Sequence, residues 1–276
     1  MSGVRKVDAA GFWENGWTIV RGVYTADDVQ RLRDAAYWSR KHFGGDLLAN
    51  PRLREVLTDG NFVEIARRIL GDDKIVYCGD SAFTVNGVQR GFHKDNADRV
   101  DPKAPDWNGR YTILRFGVYL QDHYRHTGGL NLRHRSHNTP DLIVGKNVYV
   151  RTRPGDVAVW SLRTTHSGNA TLLRFPKSYA ALPHQHDKFP SWLVAPRDGD
   201  RIALFAALGL DDAHMSRYVD YLKTRKYMCD IWRRSHYDES ALSAAEQAGL
   251  IVRNVPAEIE NDPNVGRNVD YVALPY

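Results

Sequence analysis

Cysteine is scarce in this chain, with only Cys78 and Cys229 among 276 residues. Neither lies in a CxxC or Cys/His cluster, so a disulfide framework is excluded and a reducing compartment, the cytoplasm, is expected. Long apolar runs are lacking as well. The opening stretch, MSGVRKVDAAGFWENGW, has no continuous apolar core of the secretory kind. No later stretch approaches the roughly 18 to 20 apolar residues of a membrane span, so no membrane role is expected. Charge of one sign is not concentrated either: 38 Lys and Arg are dispersed among 33 Asp and Glu. The net charge of +5 therefore reads as a solvated basic surface, without the clustered footprint of a nucleic-acid binder. Such a surface favours an acidic small molecule. Internal repeats and low-complexity tracts are absent.

What is present is enough apolar material for a core. With 42% hydrophobic and 11% aromatic residues, one domain over residues 1–276 is expected. After a turn at Asn15-Gly16, Trp17 to Val23 read as a strand. Thr25 then caps a helix carrying Asp27 and Asp28 in its first turn and ending near His42. A second helix runs from Glu55 to Leu70 and stops at Gly71. From residue 74 to about 210 the pattern changes to short β-type runs: 75–78, 81–86, 111–121, 129–132, 147–152, 156–162 and 200–208. Helical spacing returns with Val219, Leu222, Tyr227 and Ile231, and again at Ala241 to Ala248, in a C-terminal extension over 211–276. The expected class is α+β, an antiparallel β-core flanked by helices at both ends. In YTILRFGVYLQD, alternation puts Leu114, Phe116, Val118 and Leu120 on one face and Arg115, Gly117, Tyr119 and Gln121 on the other. If the apolar face meets the helices, the polar face lines the inside of the core.

The chemistry begins at GFHKDNAD. His93 and Asp95 are two apart, so on an extended segment they project from the same face and can share one metal ion. Alone, such a pair is common by chance. Further on, RPGDVAVWSLRTTHSGNAT supplies His166 just after a strand that starts at a Pro-Gly-Asp turn. Two histidines and one carboxylate make a facial triad, which holds Fe(II) on one side and leaves positions open for a chelating co-substrate and dioxygen.

These segments together resemble the phytanoyl-CoA dioxygenase family within the Fe(II)/2-oxoglutarate oxygenases. The resemblance covers residues 12 to about 208. It rests on FWENGWTIVRGVYTADDVQRLR, GFHKD, VYLQDHYRHTGGLNLRHRSH and RPGDVAVWSLRTTHSGN. It implies a double-stranded β-helix, or jelly-roll barrel, with His93, Asp95 and His166 on iron and 2-oxoglutarate and O2 as co-substrates. The expected activity is hydroxylation of a small-molecule C–H bond, with 2-oxoglutarate going to succinate and CO2. Retention of Asp95 argues against a halogenase, whereas desaturation, epimerisation and cyclisation use the same ligands. A cupin-type isomerase or hydrolase and a non-catalytic barrel are the alternatives from other classes.

Two departures from the family pattern matter. The usual Pro-Gly-Ser-His turn is here His134-Arg135-Ser136-His137. The arginine that in this family shortly follows the distal histidine and pairs with the far carboxylate of 2-oxoglutarate has two counterparts, Arg174 and Arg201. Arg201 is favoured because DRIALFAALG reads as the final barrel strand, and its planar fork suits a carboxylate. Arg115 is a third candidate, or else a substrate contact. Residues 175–199 then form an insertion, expected to emerge near the iron as a lid, with Phe175, Tyr179, Phe189 and Trp192 as apolar surface. Its His184, His186 and Asp187 are expected to face solvent or substrate and not a second metal. Tyr119, Asn131, His184 and Trp192 are the candidate substrate contacts. His123, His126, His134 and His137 are read as turn or surface residues.

Overall fold

The computed structural model describes residues 4, 6–175 and 179–267. Residues 176–178 of the expected insertion and 268–276 of the expected C-terminal extension lie outside the described residues. The chain opens with a helix not anticipated above, α1 (Ala9–Asn15), whose N-terminus is capped by Asp8 and whose end is turned by Gly16 at φ 82°. β1 (Trp17–Val20) follows, then α2 (Ala26–His42), which starts with a reciprocal Thr25/Asp28 capping box. The single helix expected over 55–70 is two, α3 (Glu55–Thr58) and α4 (Asn61–Leu70), because Gly60 at φ 80° breaks it.

The β-core then runs β2 (Ile75–Val85), β3 (Ile113–Tyr119), β4 (Gly129–His134), β5 (Lys146–Val150), β6 (Val157–Ser161), β7 (His166–Ala170) and β8 (Ile202–Gly209). After it come α5 (Ala213–Thr224), α6 (Lys226–Trp232), α7 (Glu239–Gln247), β9 (Leu250–Val252) and α8 (Val255–Ile259). The two runs expected at 75–78 and 81–86 are one strand with a bulge between Tyr77 and Ser81. Two further strands lie outside the β-type runs expected above. β7 is made of His-Ser-Gly-Asn-Ala, poor strand formers that pair with β4 regardless, and β9 is a three-residue parallel addition to β2. Among the described residues no helix is long and apolar enough to cross a membrane, and both cysteines are free and buried.

Six strands form one sheet in the order β1-β6-β3-β8-β2-β9, and three form the other, β5-β4-β7. The two sheets enclose a cluster of Tyr119, Leu130, Leu132, Val150, Ala158, Trp160 and Ala203, as in a double-stranded β-helix. The larger sheet's opposite face, including Leu114, Phe116, Val118 and Leu120, packs on α2, α3, α4 and α7. Phe62 of α4 stacks on Phe116 with ring centroids 4.5 Å apart. The alternation in β3 thus has the sense expected. Its inward column is Ile113, Arg115, Gly117 and Tyr119. α5 closes one end of it, packing Met215, Tyr218, Val219 and Leu222 with Ile113 and Ala207.

Candidate metal centre

The metal-like residues meet at that helix-covered end. Although β7 starts only at His166, the segment before Asp95 pairs with it: the backbone N–H of His93 donates to His166 O at 3.0 Å, and that of His166 to His93 O at 2.9 Å. Directly opposed residues on antiparallel strands put both imidazoles on one face, with ring centroids 4.3 Å apart. Asp95, two residues on, is tied by its N–H to Leu162 O at 2.9 Å. The result is His93 Nε2 3.7 Å from one Asp95 oxygen and His166 Nε2 3.5 Å from the other. One potential ligand atom from each of the three residues lies within 4.8 Å of the others.

The hydrogen bonds settle which ring nitrogen is available. His93 Nδ1 lies 2.8 Å from Gly91 O and His166 Nδ1 3.0 Å from Thr164 O. A carbonyl only accepts, so each Nδ1 carries the proton and each Nε2 presents a lone pair toward Asp95. Burial pulls His166 down to about 3 and lowers His93, keeping both neutral at neutral pH, the form that ligates a metal. Burial alone would raise Asp95, but its electrostatic surroundings, His166 first and then Arg115, His93 and Arg99, hold it below the usual carboxylate range, and with both imidazoles neutral the standing positive charge is that of the arginines. The arginines among them keep their charge at any working pH.

Lys94, between the two ligands, points the opposite way and is fully buried. Its Nζ donates to Ser136 O at 2.8 Å and Arg163 O at 2.6 Å, tying the metal segment to two neighbouring turns. One of those is the His134–His137 turn, where Arg135 takes φ 65° in place of the glycine of the usual motif. Asp80 and Tyr218 are a second unforeseen pair: both are buried and both contact Arg115. Asp80 sits beside Gly79 in the bulge of β2, and nothing in its sequence neighbourhood marks it as part of the site. Tyr218 has helical spacing that reads as core.

The three candidate arginines separate cleanly. Arg115 is taken up by two carboxylates, 2.8 Å from Asp80 and 3.2 Å from Asp95. Arg174 is exposed, its Nε donating to Val194 O. Arg201 is 4% exposed at the start of β8. It donates to Gly128 O at 2.6 Å and Thr84 Oγ1 at 3.2 Å and lies 5.6 Å over the Tyr119 ring. Among the described residues it has no carboxylate partner, and burial lowers its pKa. A Cβ on Gly168 would sit 3.4 Å from its Nη2. Between the metal residues and Arg201, the Tyr119 hydroxyl and Trp160 Nε1 are buried and have no hydrogen-bond partner among the described residues, and the rings of Trp160 and His166 are 5.4 Å apart.

Other candidates are placed elsewhere. Asn131 pairs with Ser167, on the face of the smaller sheet away from His166, and its amide donates to Ala181 O at 2.8 Å. It holds the insertion and does not face the triad. The insertion begins beyond the end of β7 remote from His166. Its Ala180 and Ala195 pack on Tyr149, Ala170 and Leu172, and Asn147 donates to Ala180 O at 2.9 Å. Those packing contacts lie on the smaller sheet's outer side and not beside the triad, while the insertion's end returns to the Arg201 end, where Arg197 donates to Asn169 Oδ1 at 3.2 Å. Trp192 is 70% exposed. His186 bonds Thr171, and among the described residues His184, His186 and Asp187 form no metal cluster. His123 and His137 are turn residues as expected, but buried and not at the surface.

No family model matches the chain, and no curated protein matches its sequence, so the narrower likeness to phytanoyl-CoA dioxygenases has no such support. Solved structures do match. One is the non-heme alpha ketoglutarate dependent epimerase SnoN from nogalamycin biosynthesis, with 18% identity, TM-score 0.52, and coverage of 73% of this chain and 81% of that one. Another is EctD from S. alaskensis with 2-oxoglutarate and 5-hydroxyectoine, at 17% identity and TM-score 0.54, covering 75% and 77%. A third is AviO1 from Streptomyces viridochromogenes Tue57, at 16% identity and TM-score 0.54, covering 76% and 98%. At these identities the likeness is one of architecture, and the chain shares the sheet-rich, jelly-roll fold of these structures.

Proposed function

We propose that the chain is an Fe(II)- and 2-oxoglutarate-dependent oxygenase that hydroxylates a C–H bond of a small molecule. The donor set fits the metal: two neutral imidazoles and one ionised carboxylate on one side suit Fe(II) with open positions, whereas structural zinc favours a closed tetrahedron. His93, Asp95 and His166 would hold it.

The observation that carries the co-substrate is Arg201. A buried guanidinium without a carboxylate partner is costly unless an anion arrives to meet it. It reaches Gly168, two residues from His166 on the same face of β7, which is about 7 Å along a strand. That separation suits a five-carbon dicarboxylate with one end at the metal. Arg201 would bind the far carboxylate bidentately, the Tyr119 hydroxyl would donate to it, and Trp160 Nε1 would donate within the same space. When bound, the iron would let dioxygen act as the oxidant, with 2-oxoglutarate giving two electrons as it goes to succinate and CO2 and the substrate C–H giving the other two. The chain would orient the co-substrate, keep the imidazoles neutral and exclude water with Trp160, Phe205 and Tyr119. SnoN and EctD, both named with this co-substrate, favour the same reading.

An anaerobic titration tests it. Fe(II)-loaded protein should develop a saturable charge-transfer absorption with 2-oxoglutarate. Absence of that band from protein that binds Fe(II) would overturn the co-substrate. Substrate turnover should yield a product heavier by one oxygen and equimolar succinate, and a product without the added oxygen would replace hydroxylation by another outcome.

A further inference from the structure

Asp95 is not held by the metal segment alone. Its Oδ2 lies 3.2 Å from Arg115 Nη2, and Arg115 Nη1 lies 2.8 Å from Asp80 Oδ2. The same Arg115 Nη2 donates to the Tyr218 hydroxyl at 3.1 Å, and that hydroxyl donates to Asp80 Oδ2 at 2.5 Å. The group is shut in, with the Arg115 and Asp80 side chains 11% and 8% exposed. It is drawn from three elements, β2, β3 and α5.

The delivery of Asp80 depends on the C-terminal extension. The bulge between Tyr77 and Ser81 re-aims this part of β2, with Gly79 at φ 79°. Trp232 of α6 donates its Nε1 to Gly79 O at 2.9 Å, and a Cβ at Gly79 would lie 2.6 Å from that nitrogen. α6 thus packs on the bulge while α5 supplies Tyr218.

Charge explains the need for Asp80. Arg115 alone would bring a permanent positive charge to the carboxylate that must receive a dication. Asp80 balances that charge, so Asp95 keeps its own for the metal. Arg115, meanwhile, engages one oxygen of Asp95, which leaves the other for ligation and keeps the remaining positions open. We propose that Asp80, Arg115 and Tyr218 form the positioning and charge-balancing unit of the metal carboxylate, and that α5 and α6 are thereby part of the metal centre. This rests on the metal reading above.

The test is a set of anaerobic Fe(II) and Co(II) titrations on the full chain, with melting temperatures of the metal-free forms. Asp80→Asn should weaken metal binding by ~10–100-fold, the range found when partners of metal ligands are changed. Arg115→Gln should bind metal at least as tightly as the unaltered chain, yet turn over slowly at saturating metal and give an altered charge-transfer band with 2-oxoglutarate. The double variant Asp80→Asn/Arg115→Gln should recover metal affinity but not turnover, which a merely structural role would not produce. Tyr218→Phe, which removes one hydroxyl from an otherwise intact core, should shift the same band. Unchanged affinity in Asp80→Asn, or a double variant weaker than either single one, would overturn the proposal. If the unaltered chain bound neither ion, the metal reading itself would fail instead.

Discussion

Two largely enclosed arginines on the inner face keep opposite company. Arg115, at the end covered by α5, is enclosed by Asp80, Asp95 and Tyr218, whereas Arg201, at the start of β8, has backbone, hydroxyl and ring neighbours and no carboxylate among the described residues. The same residue type thus serves two ends. A guanidinium already matched to carboxylates is taken up by the protein, and one left unmatched on the inner face keeps the charge that the proposed co-substrate would meet. Candidate arginines in a sequence are therefore told apart by their neighbours, not by their spacing from a motif.

The comparison fails entirely if no metal lies between the two ends. His93→Ala, Asp95→Ala or His166→Ala should each abolish turnover and lower Fe(II) binding beyond detection in anaerobic titration while the circular dichroism stays native. Full activity in any one of them would remove the triad. Next in size, Arg201→Ala should cost on the order of 3 to 5 kcal/mol of 2-oxoglutarate binding, more than 100-fold in its dissociation constant, with Fe(II) binding retained. Equal loss in Arg174→Ala would transfer the role to the exposed arginine.

A third prediction concerns protons and sharpens the picture of the Arg201 end, where His123 lies. Burial, reinforced by Arg201, lowers His123 to about 3, and burial lowers His137 to about 4, whereas an unfolded histidine titrates near 6.5. Below pH ~6.5 the unfolded chain takes up protons that the folded chain refuses, so stability is lost as the pH falls. Each histidine costs about 2 kcal/mol at pH 5. Asp46 and Asp59 act in the opposite sense: burial raises each to about 6, so below that pH the folded state gains about 1.4 kcal/mol from each at pH 5, less than the loss from His123, His137 and the likewise buried His166 together. The net expectation is a melting temperature lower at pH 5 than at pH 7, and a shallower dependence in His137→Gln. A flat profile in the unaltered chain would contradict the assigned burial effects.

The smallest effects belong to the insertion. Trp192→Ala should leave 2-oxoglutarate affinity unchanged and shift stability within about 0.5 kcal/mol, as for exposed positions. Selective loss of substrate turnover in that variant would restore a lid role that its described contacts do not support.

Local chemistry alone determined a good deal of this protein. The Thr25/Asp28 cap, the two-residue alternation of β3, the β-rich stretch from 75 to 208 and the pairing of His93 with Asp95 are set by neighbours in the chain, so they are legible without coordinates. Tertiary structure alone decided the rest. β7 forms from weak strand formers because β4 and the segment at His93 complete its hydrogen bonds. The break at Gly60, by contrast, is local, carried by the Asp59-Gly60 pair within a run whose apolar spacing is continuous. Asn131 and the insertion fall outside the barrel because the smaller sheet's pleat turns Leu130 and Leu132 inward. Asp80 reaches Arg115 through a bulge on which a tryptophan packs from more than 150 residues away, and no local pattern encodes a contact of that span.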